Sequence, residues 1–342
     1  MYKNLDESTA FKTLQAMSSI KLKEQLHPNR IESYQAKAGC GLRYNYAAMP
    51  IADNHLAVLQ ELSDELQLTQ KYQALLDGEV MNTGEKRLVL HHLCRGQIGK
   101  TVFADGEDKG SFYQQQLTEI KAFSQAVRNG EIVGSTGKTF TTVVQIGIGG
   151  SDLGPRALYL ALKGWCSRDK NKQLDAQFIS NVDPDDAEQV IRALDLERTL
   201  FILVSKSGTT LETLTNRDFV VDAIQKSNIE GLVAEKHMVA VTSNSSPLAS
   251  SSSVLKAFFI DDYIGGRYSS TSAVGAVVLS LAFGFEIFDE LLRGAHEADL
   301  SAMNPNIREN GALLDALLGI YLRNVLGYPS TAILPYSQAL SR

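Results

Sequence analysis

Disulfide chemistry has little to work with in this sequence. Its three cysteines, Cys40, Cys94 and Cys166, are scattered and odd in number. They form neither a disulfide framework nor a zinc-ligand spacing, which suits a reducing compartment. No uninterrupted apolar run approaches about 18 residues, and the opening "MYKNLDESTAF" has no apolar stretch. Neither a membrane span nor a secretory leader is read, and both absences point to the cytoplasm. A basic excess is missing as well. The net charge is −6, which gives no general attraction to nucleic acid or to an anionic membrane. An anionic substrate would therefore have to be held by local groups. The adjacent His91 and His92 diverge on any helix or strand and make a poor metal site, so core or surface placement is the simpler reading.

What remains is a chain of 342 residues, 44% hydrophobic and 21% charged. That is a soluble, globular composition with room for a sizeable core and roughly two domains. From the start to about residue 111 the pattern is mainly helical, with Leu59, Leu62, Leu66 and Leu68 near a 3.6-residue period. The turn-rich "FADGEDKGS" follows, then a helix ending at Gly130. Beyond it short β-rich runs alternate with helices: "TTVVQIGI", "AQFIS", "TLFILVS", "HMVAVT" and "AFFI". Asp183 is placed to cap the helix that opens with Pro184 and continues with acidic residues. This alternation predicts a doubly wound parallel sheet of five strands flanked by helices. The expected organisation is a helical region over 1–115, an α/β domain over 116–285, and over 286–342 a helical connection with the start of a second α/β domain. "TAILPY" reads as the first strand of that second unit.

In such a sheet every strand-to-helix loop leaves from the carboxyl edge, where ligands bind near the switch in strand order. "GGSD", "NVDP", "SKSGTT" and "TSNSS" should therefore share one rim. The serine-rich "NSSPLASSSS" reads as a solvated connector.

Three motifs carry chemistry. In "SKSGTT", Ser205, Ser207, Thr209 and Thr210 offer hydroxyl donors, Lys206 a charge, and Gly208 close backbone approach. A helix starting near Thr210 adds unpaired N–H groups and the positive end of its dipole. Together these would make a phosphate cradle. Ordinary capping is the rival reading, since Thr209 and Glu212 fit the T-x-x-E capping box, and both can hold. "GIGGSDLG" breaks the dinucleotide fingerprint: Asp152 stands at the third glycine position, and Asp183 begins a helix. It reads as a glycine-rich turn meeting a small ligand, with Gly150 and Ser151 presenting an N–H and a hydroxyl. "GSTGKT", 134–139, lacks the first glycine of a nucleotide loop and precedes a strand instead of following one, so it is discounted. In "GGRYSS", Arg267 follows two glycines. A guanidinium keeps its charge and suits a developing oxyanion, and an interdomain ion pair is the competing reading.

Taken together, "VVQIGIGGSDLGPRAL", "FISNVD", "FILVSKSGTTLET" and "DYIGGRYSSTSAVG" resemble the glucose-6-phosphate isomerase family in order and spacing, with support from "VRNGEIVGSTGKT" and "LPYSQAL". The resemblance runs from about Ala122 onward and is weaker before it. The arginine motif is highly specific, whereas "SKSGTT" is shared by many sugar-phosphate isomerase (SIS) domains. The family often has "SKTFTT" here, so Ser207 and Gly208 depart toward the broader SIS pattern. The resemblance implies an SIS-type sheet and interconversion of glucose 6-phosphate and fructose 6-phosphate without metal or nucleotide. A proton would move between C2 and C1 through a cis-enediol(ate), with a glutamate as base. By motif match Ser205, Lys206, Ser207 and Thr210 would bind phosphate, Gly150 and Ser151 would line the sugar site, and Arg267 would stabilise the enediolate. The family forms homodimers with shared sites. Its base glutamate, ring-opening histidine and C-terminal lysine fall beyond Arg342, so the expectation is a shortened chain with little or no activity alone.

Three further readings stand beside it. A non-catalytic SIS-domain sugar-phosphate binder explains "SKSGTT" but needs neither the arginine motif nor "GIGGSDLG". A nicotinamide-dependent dehydrogenase is opposed by the broken glycine fingerprint. A dual glucose/mannose phosphate isomerase would be separated by its action on mannose 6-phosphate.

Overall fold

The computed structural model describes residues 3–168, 173–250 and 252–341. Position 251 of the serine-rich connector and the terminal Arg342 lie outside the described residues. The chain forms two compact units. One comprises Met1–Leu88, Ile98–Lys100 and Arg293–Leu334, and the other Val89–Gln97, Thr101–Leu292 and Pro335–Arg342.

The first unit is mostly helical. Helices Thr9–Ala16, Asp53–Glu65, Leu68–Leu76 and Gly311–Ile320 accompany a hairpin that pairs Gln35–Lys37 with Arg43–Asn45. Leu56, Leu59 and Leu62 lie on one helix face and pack with Leu14, Leu314, Leu317 and Tyr321 in one core. The leucine stripe does not continue as one helix. Gln67 takes φ +54°, which a right-handed helix cannot accommodate, so the chain breaks between Glu65 and Leu68. Glu65 ends its helix with a second role: its carboxylate accepts from Ser8 Oγ (2.7 Å) and from the N–H groups of Thr9 and Ala10 (both 3.0 Å), capping helix Thr9–Ala16. The strand expected at "TAILPY" is not formed. A strand needs a neighbour for its N–H and C=O groups, and among the described residues none pairs with this segment.

The second unit is the predicted α/β sheet. Its elements are α1 (Lys109–Asn129), β1 (Thr142–Ile146), α2 (Leu153–Cys166), β2 (Asp175–Ile179), α3 (Pro184–Arg192), β3 (Thr199–Val204), α4 (Leu211–Lys226), β4 (Met238–Thr242), β5 (Lys256–Phe259) and α5 (Ala273–Phe283). All five strands are parallel, in the order β2-β1-β3-β4-β5. Every residue of β3 is buried, as a strand covered on both faces requires. Alternation divides them: Leu200, Ile202 and Val204 join the core under α1 and α5, while Phe201 and Leu203 join the core under α3 and α4.

Local chemistry sets the element ends. Asp183 caps α3 by accepting from the Asp185 N–H at 3.0 Å, with Pro184 at the first position. Gly130 ends α1 in the left-handed region at φ +78°. All 11 residues of α5 are buried. Its last carbonyls are closed by Arg128, whose Nη1 donates to the oxygens of Leu281 (3.0 Å) and Ala282 (3.1 Å). A fixed cation there also opposes the negative end of the helix dipole.

The strand order sets the location of the site. The chain passes from β1 to β2 on one side, then crosses back to β3 on the other. The loops after β1 and β3 therefore flank the switch, and those after β2 and β4 leave from the same rim. Among the described residues no helix is long and apolar enough to cross a membrane.

Candidate active site

The loop after β3 is built around its own hydroxyls. Ser205 Oγ lies 2.8 Å from Thr210 Oγ1 and accepts from the Gly208 N–H at 3.1 Å. Ser207 Oγ accepts from the Thr209 N–H (3.2 Å) and from Thr209 Oγ1 (3.0 Å). The carbonyls are drawn the other way: Thr242 Oγ1 donates to Ser205 O at 2.7 Å, and the Ser243 N–H to Lys206 O at 3.0 Å. Gly208 sits at φ +68°, a backbone conformation that favours glycine, and a Cβ there would displace the Ser246 hydroxyl, 2.0 Å away.

Helix α4 starts where expected, but the capping box does not form. Thr210, not Thr209, is the cap residue, and it makes no side-chain cap bond. Thr209 is occupied with Ser207, which leaves Glu212 without its reciprocal partner. The Thr210 side chain therefore leaves the first N–H groups of α4 uncapped, an arrangement suited to an anion. Lys206 Nζ reaches Asp262 Oδ1 at 3.3 Å, tying this loop to the one after β5.

The loops after β1 and β5 interlock at backbone level. A Cβ on Gly150 would lie 2.1 Å from the Gly266 carbonyl oxygen, and one on Gly154 would lie 2.0 Å from Ser270 Oγ. Ser269 Oγ donates to Gly266 O at 2.6 Å and reaches Gly150 O at 3.3 Å. From beneath, Gln145 Nε2 donates to Ser151 O at 2.7 Å. Gln145 is fully buried in β1, a polar residue between Val144 and Ile146. Asp152 is buried and held by Arg156, 2.9 Å from its Nε; burial outweighs this cation and pushes the Asp152 carboxyl above its usual range.

Arg267 is exposed on its loop, next to Tyr268 at φ +64°. Asp261 anchors the loop's base. It accepts from Tyr113 OH (2.8 Å) and from the Tyr263 N–H (3.1 Å), and Lys109 Nζ is 3.4 Å away. Burial opposes the Lys109 charge, but Asp261 and Glu107 overcome that and raise its pKa. Burial, with Asp105 beside it, pushes the Tyr263 phenol up to about 12.

The structure thus brings all the sequence-selected residues to one rim: Gly150 and Ser151 after β1, Ser205, Lys206, Ser207 and Thr210 after β3, and Arg267 beyond β5. "GSTGKT" precedes β1 and so lies at the opposite edge. There Ser135 N–H donates to His237 Nε2 at 3.0 Å, and a Cβ on Gly134 would meet that ring at 2.6 Å. Sequence reasoning missed Gln145, Asp261 and Tyr113, and it read His91 as a poor metal ligand and an ordinary core or surface histidine. A lone glutamine inside "VVQI" was the one available signal for the first. The others are joined across 148 and 174 positions and leave no local trace.

The phosphoglucose isomerase family model matches residues 45–342. A glucose-6-phosphate isomerase of Treponema denticola is 53% identical over 350 residues, covering 100% of this chain and 65% of the relative. One from Borreliella burgdorferi is 45% identical, covering 99% of this chain and 64% of the relative. The crystal structure of a glucose-6-phosphate isomerase from Chlamydia trachomatis superposes with a TM-score of 0.89 at 38% identity, over 99% of this chain and 64% of that one. The chain therefore spans about 65% of the length of the relatives it matches. The similarity also reaches well before Ala122, through helices whose packing positions accept many apolar residues.

Proposed function

Since the chain belongs to the phosphoglucose isomerase family, we propose that this rim is the phosphate- and sugar-binding part of a glucose-6-phosphate isomerase. The reaction is the reversible interconversion of glucose 6-phosphate and fructose 6-phosphate. The hydroxyls of Ser205, Ser207 and Thr210, the Lys206 ammonium and the first N–H groups of α4 take the phosphate. Gly150 and Ser151 line the sugar. As a proton leaves C2 for C1, negative charge grows on the enediolate oxygen, and the Arg267 guanidinium stabilises it without being able to give up its own proton.

The observation that supports this reading is the joining of the cradle to the arginine loop. Lys206 and Asp262 pair at 3.3 Å, while Gly150 rests on the Gly266 carbonyl. Phosphate anchor and oxyanion stabiliser are thereby held on one rim. The same reading assigns no base among residues 3–341, and with it the chain as given turns over little or no substrate. A homodimer and a cytoplasmic location belong to it as well, the first checked by light scattering of the complete gene product.

Arg267→Ala in the complete gene product tests the assignment. A preorganised donor to a developing oxyanion is worth about 10²–10³ in kcat, so kcat should fall by that order while KM moves less. An unchanged kcat removes Arg267 from the transition state. Turnover of fructose 6-phosphate by the 342-residue chain at the rate of the complete product would refute the assignment of the base outside it.

A further inference from the structure

We propose that His91 is a positioning residue whose imidazole fixes the backbone at Gly265 and thereby aims the Arg267 guanidinium. This rests on the isomerase reading of Arg267 given above. His91 opens a short 3₁₀ turn, His91–Cys94, that no matched motif includes. Its Nε2 lies 3.0 Å from Gly265 O. A carbonyl can only accept, so Nε2 carries the proton and donates it. The ring lies along the glycine at ordinary contact distance: a Cβ on Gly265 would be 3.7 Å from Cε1.

Two successive glycines make a loop with little stiffness of its own, so its shape must be imposed from outside. The segment around His91 does this on both shoulders of the arginine. Before it, the Leu90 N–H donates to Tyr263 O at 3.1 Å and His91 to Gly265 O. After it, Arg95 Nη1 donates to Thr271 Oγ1 at 3.3 Å. The ring is half-buried, and its charged neighbours are Arg95 on its own segment and Lys206 on the cradle. Burial and these two cations hold its pKa below the usual histidine value, against the pull of the Gly265 and Arg267 carbonyls. A neutral ring has one N–H to give, and Gly265 O receives it.

The test uses the complete gene product and two amides that differ in reach. His91→Gln places an Nε2 donor near the position of the imidazole Nε2, and His91→Asn cannot reach it. His91→Asn should lower kcat by about 10-fold or more with a smaller change in KM, and His91→Gln should retain kcat within about threefold. In an Arg267→Ala background His91→Asn should cost less than about twofold, because the group it aims is gone. A purely structural role would cost the same factor in both backgrounds, and that result overturns the proposal. So does an unchanged kcat in His91→Asn, or a His91→Gln enzyme as impaired as His91→Asn. An Arg267→Ala enzyme with unchanged kcat would instead bring down the isomerase reading itself, so the two failures are distinguishable. Thermal midpoints of the variants establish that they are folded when assayed.

Discussion

Replacing Gly150 with alanine introduces one methyl group at the junction of two loops. That methyl would lie 2.1 Å from the Gly266 carbonyl oxygen and 2.3 Å from the carbonyl carbon. Both are backbone atoms, so no side-chain rotation relieves the clash. To restore contact near 3 Å, the loops must part by about 1 Å, the kind of overpacking that costs about 1–3 kcal/mol. The shift would part the turn after β1 from the arginine loop, and on the proposed isomerase reading a misplacement of about 1 Å at a reacting group can cost about 10²-fold in rate. Gly150→Ala in the complete gene product should therefore lower kcat by about that factor and lower the thermal midpoint by roughly 2–4 °C per kcal/mol. Steady-state kinetics in both directions and a thermal melt read the two effects. Gly164→Ala is the matched control. It lies exposed on α2 with no atom within 4 Å of the added carbon, so helix propensity should stabilise it by up to about 1 kcal/mol and leave kcat unchanged. A Gly150→Ala enzyme with parental kcat and melting temperature would refute the backbone-contact account of the site.

Two further predictions concern pH. Glu65 accepts from Ala10, Ser8, Thr9 and Lys3, which lower its pKa from 4.5 to about 2. The unfolded chain takes up this proton first, so the stability Glu65 contributes is complete above pH 4.5 and is lost as pH falls toward 2. Glu65→Gln should flatten that part of a urea-midpoint-against-pH curve, and parallel curves would contradict it. His237 must be neutral to accept from the Ser135 N–H at 3.0 Å while its Nδ1 donates to Thr199 O at 2.9 Å. Burial lowers its pKa from 6.5, so stability should fall as pH drops below 6.5. His237→Phe should abolish this slope while costing about 1–3 kcal/mol at neutral pH through the two groups left unpaired. A retained slope would assign the dependence to other groups.

The sheet was legible because its determinants are local. The apolar run 200–204 is long enough for a strand and too uniform for one exposed face. Asp183 followed by Pro184 marks a helix start, and Gly130 a stop, through backbone chemistry that neighbours alone decide. The place of the "SKSGTT" and "GGRYSS" turns at the carboxyl edge was legible for the same reason. What failed depended on competition or on distance. The Thr209 and Glu212 spacing fits a capping box, but Ser207 captures Thr209 first. The leucine period at 59–68 says nothing of the left-handed turn at Gln67. "TAILPY" has strand composition, yet a strand exists only beside another. His91 and Asp261 matter through partners far away in sequence, and a single sequence does not record such pairings.

Parallel strands also give the sheet a chemically quiet end. The connections entering β1, β3 and β4 arrive at the amino edge, a full strand length from the loops described above. Glu230, in the connection to β4, is exposed and lies outside the left-handed backbone region, so another side chain is tolerated there. A fluorophore, affinity handle or surface tether attached there would report on or immobilise the molecule while leaving the opposite rim free to meet its ligand.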